Sequence, residues 1–229
     1  MSKLQVAVLV ENHEYDVVGL QKMLDSFTDC ECYVQPLDLF IRDEKNRDQY
    51  DTVLWYNMNI PIPDENSALR DYMENSLGST CQGIVLIHHA LLCFKHWDLY
   101  TEVSGVSIRL EDGLFSYHQN TPVTCRIKNA SHPVMQGLTD FDIVDETYVI
   151  GEPDQPGNDI LITAECSVGI KNIGWSRTYK NSRVFVTASG HDDQVYANPH
   201  YRQLIHNAIL WTGNRDKNTI YRKPKCYTA

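Results

Sequence analysis

Three short runs of apolar, β-prone residues constrain the fold of this chain most. They span residues 4–10, 52–56 and 83–87 and contain almost no polar side chain. Such runs are typical of strands that are covered on both faces in a parallel sheet. Helical patterns lie between them: one follows Asp16 as N-cap, and another follows Asp64 and ends at Gly78. A further strand is predicted at 30–37 and a further helix at 89–100. The order predicts an α/β fold with a single doubly wound, mostly parallel sheet.

The pattern changes between residues 105 and 165. Short alternating runs at 123–127, 141–150 and 160–164 are separated by turn-rich pieces, which predicts a β-rich insertion or an extension at the sheet edge. Strands at 173–179 and 183–189 then flank Lys180–Ser182, the spacing of a hairpin with a three-residue loop. The last helix has Asn198 as N-cap and Pro199 at its first position, and it ends at Gly213.

Length and charge indicate how the chain is organised. Its 229 residues, 42% of them hydrophobic, suit one domain, predicted over residues 1–213. Residues 214–229 form a basic tail with five basic side chains and one acidic. A formal net charge of -10 argues against a nucleic-acid partner. No stretch is apolar enough for a membrane helix, and seven irregularly spaced cysteines favour reduced thiols, so we expect a cytoplasmic protein without a membrane partner.

Polar residues follow several of the predicted strands. Because the carboxyl ends of parallel strands share one edge of a sheet, ligands bind in the crevice there. Histidine serves as general acid, general base or metal ligand, although a single histidine at a strand end is more often a hydrogen-bonded structural residue. The strand ends concerned carry Glu11, Asn12 and His13; Asn57, Met58 and Asn59; His88 and His89; and Ser189, Gly190, His191, Asp192 and Asp193.

These residues leave the cofactor open. His13, His88, His191 and Asp192 offer a mixed nitrogen and oxygen set for a divalent metal, but no HExxH motif or regular His-x-His pattern requires one. The sequence also lacks GxGxxG, GxxxxGK[ST] and GxSxG motifs, which disfavours nicotinamide chemistry, ATP chemistry and a serine-hydrolase elbow.

Three stretches resemble the trehalose-utilisation (ThuA-like) family: GIVLIHHA at 83–90, SHPVMQGLTDFDIVDETYVI at 131–150 and WSRTYKNSRVFVTASGHDDQVYANPHYRQLIHNAILWTG at 175–213. The resemblance implies a flavodoxin-like fold similar to class I glutamine amidotransferases. His88 stands where the amidotransferase cysteine would be, and His191 and Asp192 stand where its histidine and acid would be. Because imidazole does not readily replace an attacking thiolate, glutaminase activity is not expected.

The middle stretch adds a carboxylate to the predicted site. Strand alternation places Glu146 and Tyr148 on one face and Asp145 on the other, and we favour Glu146 and Tyr148 as the cleft-facing pair. In the alternative interpretation, His132 and Pro133 only shape a turn, while the two carboxylates bind backbone amides or Arg177. The chain also departs from the common family pattern: His89 stands where a small residue is frequent, and Asn181 and Ser182 stand where a turn glycine is frequent.

The resemblance implies carbohydrate catabolism, with a disaccharide or keto-sugar as the small-molecule partner. An isomerase-like or lyase-like acid and base step on an oxidised glycoside would suit paired histidines and a carboxylate, and a hydrolase stays open. The predicted catalytic residues are His88, His191, Asp192, which would orient His191, and Glu146. A non-catalytic carbohydrate-binding or scaffold protein is the alternative, and the oligomeric state, a homo-oligomer included, is open. The predicted substrate-binding residues are His13, His89, Asn57, Tyr148, Trp55 and Arg177.

Overall fold

A computed structural model describes residues 3–107 and 115–213 of the chain; the predicted basic tail lies outside this part. One mixed sheet dominates the described residues. Its strands follow the order β2-β1-β3-β4-β9-β8-β7-β5-β6. Their bounds are β1 (Leu4–Leu9), β2 (Cys30–Gln35), β3 (Thr52–Trp55), β4 (Gly83–Ile87), β5 (Ser116–Ile127), β6 (Phe141–Val149), β7 (Asp159–Glu165), β8 (Asn172–Tyr179) and β9 (Ser182–Thr187).

The sheet has a parallel half and an antiparallel half. Strands β2, β1, β3, β4 and β9 are parallel neighbours. From β9 onward, β8, β7, β5 and β6 pair antiparallel. The change coincides with the β-rich segment, so the predicted edge extension is confirmed. Every residue of β4 is buried, as expected for an apolar strand with strands on both sides and cover on both faces.

Helices cover both faces of the parallel half. Thr52 of β3 meets the last helix, where its Oγ1 lies 3.4 Å from Oγ1 of Thr212. Three residues on, and so on the opposite face, Trp55 stacks on Tyr72. The helices are α1 (Val17–Asp25), α2 (Leu37–Arg42), α3 (Glu44–Arg47), α4 (Ala68–Asp71) with a π-helical turn at Tyr72–Ser76, α5 (Asp98–Ser104), α6 (Asp193–Tyr196) and α7 (Pro199–Thr212). None of these helices is long and apolar enough to cross a bilayer.

Three local predictions were wrong. The helix assigned to Asp64 begins at Ser67, whose Oγ accepts a hydrogen bond from the Arg70 amide, while the Asp64 carbonyl only closes the preceding turn. The helix predicted over 89–100 is broken into a 3-10 turn at 88–92 and α5, because Phe94 and His96 adopt positive φ. The β8–β9 hairpin has a two-residue turn, since Tyr179 pairs with Ser182.

The antiparallel half curves back over the parallel half. Although β6 is the far edge strand, its Tyr148 hydroxyl lies 2.7 Å from His88, which directly follows β4. Register shifts interrupt β5 between His118 and Thr121 and β7 between Ile160 and Thr163. Such irregularities bend strands and increase twist. The curvature brings β6 and the carboxyl ends of the parallel strands to the same cleft.

Candidate active site

A cleft of about 960 Å³ opens at the carboxyl edge of the parallel strands. Its floor and walls come from both halves of the sheet and from the loops that follow β1, β3, β4 and β9. The residues that line it are Asn12, His13, Glu14, Tyr15, Asp16, Met58, Ile60, Leu92, Lys95, Phe115, Tyr117, Gln119, Glu146, Tyr148, His191 and Asp192.

Two histidines and a carboxylate meet at the bottom of the cleft. Nδ1 of His191 lies 3.2 Å from Nε2 of His88. Oε1 of Glu146 lies 3.4 Å from His88 Nε2 and 3.8 Å from His191 Nδ1. The imidazoles of His88 and His191 therefore lie side by side, and Glu146 completes the group. We call His88, Glu146 and His191 the central cluster.

His88 occupies a sharp turn directly after β4. Its φ of +51° is unusual for a residue with a side chain, and its side chain is fully buried. Nδ1–H donates to the Ala188 carbonyl at 2.9 Å, which leaves Nε2 directed at the central cluster. The Tyr148 hydroxyl lies 2.7 Å from this Nε2. His88 therefore lies behind the cleft surface, and its side chain reaches a substrate only through its neighbours.

Strand alternation in β6 separates two adjacent carboxylates, as predicted. Glu146 and Tyr148 face the cleft. Asp145 faces away and accepts hydrogen bonds from the backbone amides of Gly190 and His191 at 2.9 and 3.1 Å. The alternative interpretation, in which a carboxylate of this stretch binds backbone amides, is thus right for Asp145. It is also right that His132 shapes a turn, because His132 caps a 3-10 turn at 133–135.

The Ser189–His191 loop is fixed from several sides. The Tyr56 hydroxyl lies 2.9 Å from the Gly190 carbonyl, and the Tyr196 and Tyr201 hydroxyls donate to other carbonyls of the loop. Gly190 has a φ of +128°, and a Cβ there would clash with the Tyr201 hydroxyl, so only glycine fits. The His191 backbone is held rigidly by these contacts.

Burial and charge shift the ionisation of the carboxylates in opposite directions. Partial burial raises the pKa of Glu146, but the hydrogen bond and positive charge of His88, with the charge of His191, outweigh it and lower that pKa below its ordinary value. Burial dominates at Asp145 and raises its pKa despite the amide donors. Burial likewise raises the pKa of the Tyr148 hydroxyl well above normal. Glu146 is therefore ionised at neutral pH.

The central cluster has the spacing of a metal site. One ligand atom from each of His88, Glu146 and His191 lies within 4.8 Å of the others. Tetrahedral ligands at bond lengths of about 2.1 Å would be separated by about 3.4 Å, close to the distances in the cluster. The His88 Nδ1–H bond to a carbonyl is also the support that metal-bound histidines usually have. Among the described residues, this set can hold a divalent ion.

Two members of the predicted metal set, His13 and Asp192, lie outside the central cluster. Asp192 lines the cleft, but its carboxylate caps α6 by accepting from the Gln194 amide. The expectation that Asp192 orients His191 is therefore wrong. The His191 ring faces the Glu146 carboxylate, and the His191 amide donates to Asp145. His13 lines the cleft wall, where its ring stacks on His89 at 4.2 Å.

Four predicted substrate-binding residues are placed away from the cleft surface. Asn57 is fully buried and donates to Asn59. His89 is buried beneath His13 and contacts the Tyr56 carbonyl through Nε2. Trp55 packs in the core because its strand position faces Tyr72, and Arg177 donates to Asn158 from β8. The side chains predicted to bind substrate that do line the cleft are His13 and Tyr148.

Other cleft residues were missed in the sequence. Lys95, Phe115, Tyr117 and Gln119 line it. Gln119 also contributes a hydrogen bond to Glu146. Phe115 and Tyr117 belong to the segment that was recognised only as β-rich. The available signal was their spacing: two aromatic residues two positions apart at the start of a strand point to the same side.

Comparison with known proteins identifies relatives of this fold. A sequence model of the family described as trehalose utilisation matches residues 13–212. A putative ThuA-like protein from Parabacteroides merdae is similar over 99% of this chain and 96% of its own, with 18% identity and a TM-score of 0.74. One from Bacteroides uniformis covers 94% of both chains at 20% identity and a TM-score of 0.69.

A putative GMP synthase component from Thermoplasma acidophilum shares the fold more distantly. It is similar over 91% of this chain and 94% of its own, with 12% identity and a TM-score of 0.56. No curated protein matches the sequence significantly.

Proposed function

Since this chain belongs to the ThuA family of trehalose utilisation, we propose that it is an enzyme of carbohydrate metabolism that performs acid and base chemistry on a keto-glycoside. The observation that carries the proposal is the central cluster: a carboxylate and an accessible histidine at the bottom of a cleft large enough for a glycoside. The family supplies the carbohydrate setting, and the cluster suggests the type of reaction.

Glu146 and His191 are the two groups that reach the substrate. The lowered pKa of Glu146 keeps it ionised, so it can accept a proton from the carbon next to the ketone. As that C–H bond breaks, its electron pair forms a carbon–carbon double bond, and the carbonyl oxygen takes a proton from His191. The product of this step is an enol.

The enol has two outcomes, both without an external oxidant or reductant. In an isomerase, the former carbonyl carbon takes a proton while the neighbouring hydroxyl loses one and becomes the ketone. In a lyase, the enol hydroxyl loses its proton and becomes the ketone again. The electron pair of the carbon–carbon double bond then forms a double bond to the anomeric carbon and expels the glycosidic oxygen, which leaves with a proton.

His88 is a positioning residue in this mechanism. Its complete burial separates it from the substrate, and its Nε2 faces His191, Glu146 and the Tyr148 hydroxyl. These surrounding atoms all lie close to one ring nitrogen, so a shared cation, either a proton or a divalent metal ion, would stabilise the cluster. A bound ion would polarise the ketone oxygen, and His88, Glu146 and His191 would hold it.

The amidotransferase reaction is not part of the proposal. His88 follows β4 where a nucleophilic cysteine would be needed, and the next cysteine along the chain, Cys93, is buried. Burial raises the pKa of Cys93 to about 12, and its Sγ donates to the Asn57 carbonyl. A thiol in that state is a poor nucleophile.

The fold type, the location and the partners of the protein complete the proposal. The parallel strands run in the order 2-1-3-4-9, which corresponds to the flavodoxin-like order with β9 in fifth place. We place the protein in the cytoplasm, with a small carbohydrate as its partner and a homo-oligomer as one candidate assembly. The competing proposal, a non-catalytic carbohydrate-binding protein, would need the cleft but not the central cluster.

Turnover of keto-disaccharides by the purified protein tests the proposal. We expect Glu146→Gln and His191→Asn each to lower kcat by about 100-fold or more, because proton transfer is lost while the side-chain size is kept. His206→Asn is the matched control, since His206 pairs with Asp29 at the opposite edge of the sheet. Parallel assays after chelation and with added Zn²⁺ or Mn²⁺ show whether the cation shared by the central cluster is a proton or a metal ion. A wild-type protein that binds sugars but converts none would support the binding protein instead.

A further inference from the structure

One wall of the cleft is apolar from the central cluster to the cleft mouth. Its residues come from three separate parts of the chain: the loop after β3, the turn after β4 and the start of β5. The wall consists of Met58, Ile60, Leu92, Phe115 and Tyr117. We call it the apolar wall.

The apolar wall is a continuous structure. The Lys95 amide donates to the Ile60 carbonyl at 3.1 Å, which fixes the loop after β3 against the segment after β4. The Lys95 ammonium then lies 4.7 Å from the Phe115 ring centre. Phe115 in turn contacts Tyr117 and, at 6.1 Å between ring centres, Tyr148 of the site. A ligand that reaches outward from Tyr148 therefore meets these side chains in sequence.

The chemistry of the wall is unlike that of a second sugar site. A sugar ring needs hydrogen-bond partners for its hydroxyls, since a polar group that loses water without a new partner is costly. Four of the hydrogen-bonding side chains that line the cleft, Asn12, Glu14, Asp16 and Asp192, lie in other segments, whereas Lys95 and Gln119 border the wall. The wall offers aliphatic and aromatic surface, and Tyr117 and Ile60 expose 55% and 41% of theirs.

The volume of the cleft leaves room for more than one ring. About 960 Å³ is at the upper end of the range for sites that enclose a drug-sized ligand. A sugar that is placed with its ketone at Glu146 and His191 fills only the inner part. The outer part is the space next to the apolar wall.

We propose that the apolar wall is an aglycone subsite, and that the substrate is an oxidised glycoside whose aglycone is aromatic or otherwise apolar rather than a second sugar. The inference rests on the proposed function for the position of the sugar. Burying an aryl group against Ile60 and Tyr117 removes exposed apolar surface from water on both partners.

Calorimetric binding of unoxidised glycosides tests the subsite without turnover. The probes are methyl glucoside, phenyl glucoside in both anomers, and trehalose. We expect one phenyl glucoside anomer to bind about tenfold or more tightly than methyl glucoside, and trehalose to show no such gain. Ile60→Ser and Tyr117→Ser should each lose most of that gain and leave methyl glucoside affinity unchanged.

Ile62→Ser is the matched control. Ile62 is exposed to 39%, nearly as much as Ile60, but is not among the described residues that line the cleft, so this variant should bind phenyl glucoside as the wild type does. A gain for trehalose that equals or exceeds the gain for phenyl glucoside would overturn the inference. So would a loss of affinity in Ile60→Ser and Tyr117→Ser that is equal for methyl and phenyl glucoside.

The result is separable from the proposed function. Phenyl preference without turnover of any keto-glycoside would keep the subsite and remove the catalytic proposal. Turnover of keto-disaccharides without phenyl preference would keep the catalytic proposal and remove the subsite. Failure of all these glycosides to bind, together with no turnover of any keto-glycoside, would contradict both.

Discussion

At the scale of single residues, the site combines a buried histidine with partners that a linear sequence does not associate with it. His88 and His191 are far apart in the chain, yet both follow strands of one parallel set, and the strand-end rule brings them together. Glu146 was predicted from alternation along β6. The role given to Asp192 was wrong because adjacency to His191 in sequence does not reveal that its carboxylate caps a helix.

His89 makes protein stability depend on pH. Burial, with the charges of His88 and His13, lowers its pKa from 6.5 to about 2. Below pH 6.5 the unfolded chain binds a proton at this residue that the folded chain does not, so stability falls as the pH decreases. The expected loss between pH 8 and pH 5 is about 2 kcal/mol from this residue.

Urea unfolding of wild type and His89→Gln at both pH values measures this contribution. Gln keeps a donor for the Tyr56 carbonyl but does not titrate. The variant should therefore lose about 2 kcal/mol less than the wild type between pH 8 and pH 5. An identical pH dependence for the two proteins would show that His89 is not held neutral by burial.

At the scale of elements, the apolar strands and the best-capped helices follow from local sequence, whereas broken helices do not. Asn198 and Pro199 start α7 as predicted, with the Asn198 side chain accepting from two amides. The segment after β4 has enough helix formers to suggest one helix. Positive φ at Phe94 and His96 interrupts it, because the Phe94 and Lys95 amides donate to the loop after β3 instead. Such long-range contacts are not encoded in periodicity.

The start of α4 gives a direct test at this scale. Ser67, and not Asp64, supplies the capping oxygen. Ser67→Ala should lower the free energy of unfolding by about 1 kcal/mol through loss of the N-cap, whereas Asp64→Ala should change it by less than about 0.5 kcal/mol. Urea denaturation of the two variants decides this, and a larger loss for Asp64→Ala would restore the cap predicted from the sequence.

At the scale of the whole molecule, the site depends on the curvature of the sheet. The parallel half supplies His88 and His191, and the antiparallel half supplies Glu146, Tyr148, Phe115 and Tyr117. The sequence predicted both halves and the face that Glu146 presents. It could not predict that an edge strand four positions from β9 folds back to His88, since this depends on register shifts in β5 and β7 that have no distinct sequence signal. The apolar wall was missed for the same reason.

Proton exchange in D₂O isolates the proton transfer at Glu146 from every later step. We predict that wild type incorporates deuterium at the carbon next to the ketone of a keto-glycoside, followed by NMR, and that Glu146→Gln slows this exchange by about 100-fold or more while His206→Asn does not. This measurement detects the first proton transfer whether isomerisation or elimination follows. Absence of exchange in wild type under conditions where the glycoside binds, or exchange in Glu146→Gln at the wild-type rate, would contradict the proposed mechanism.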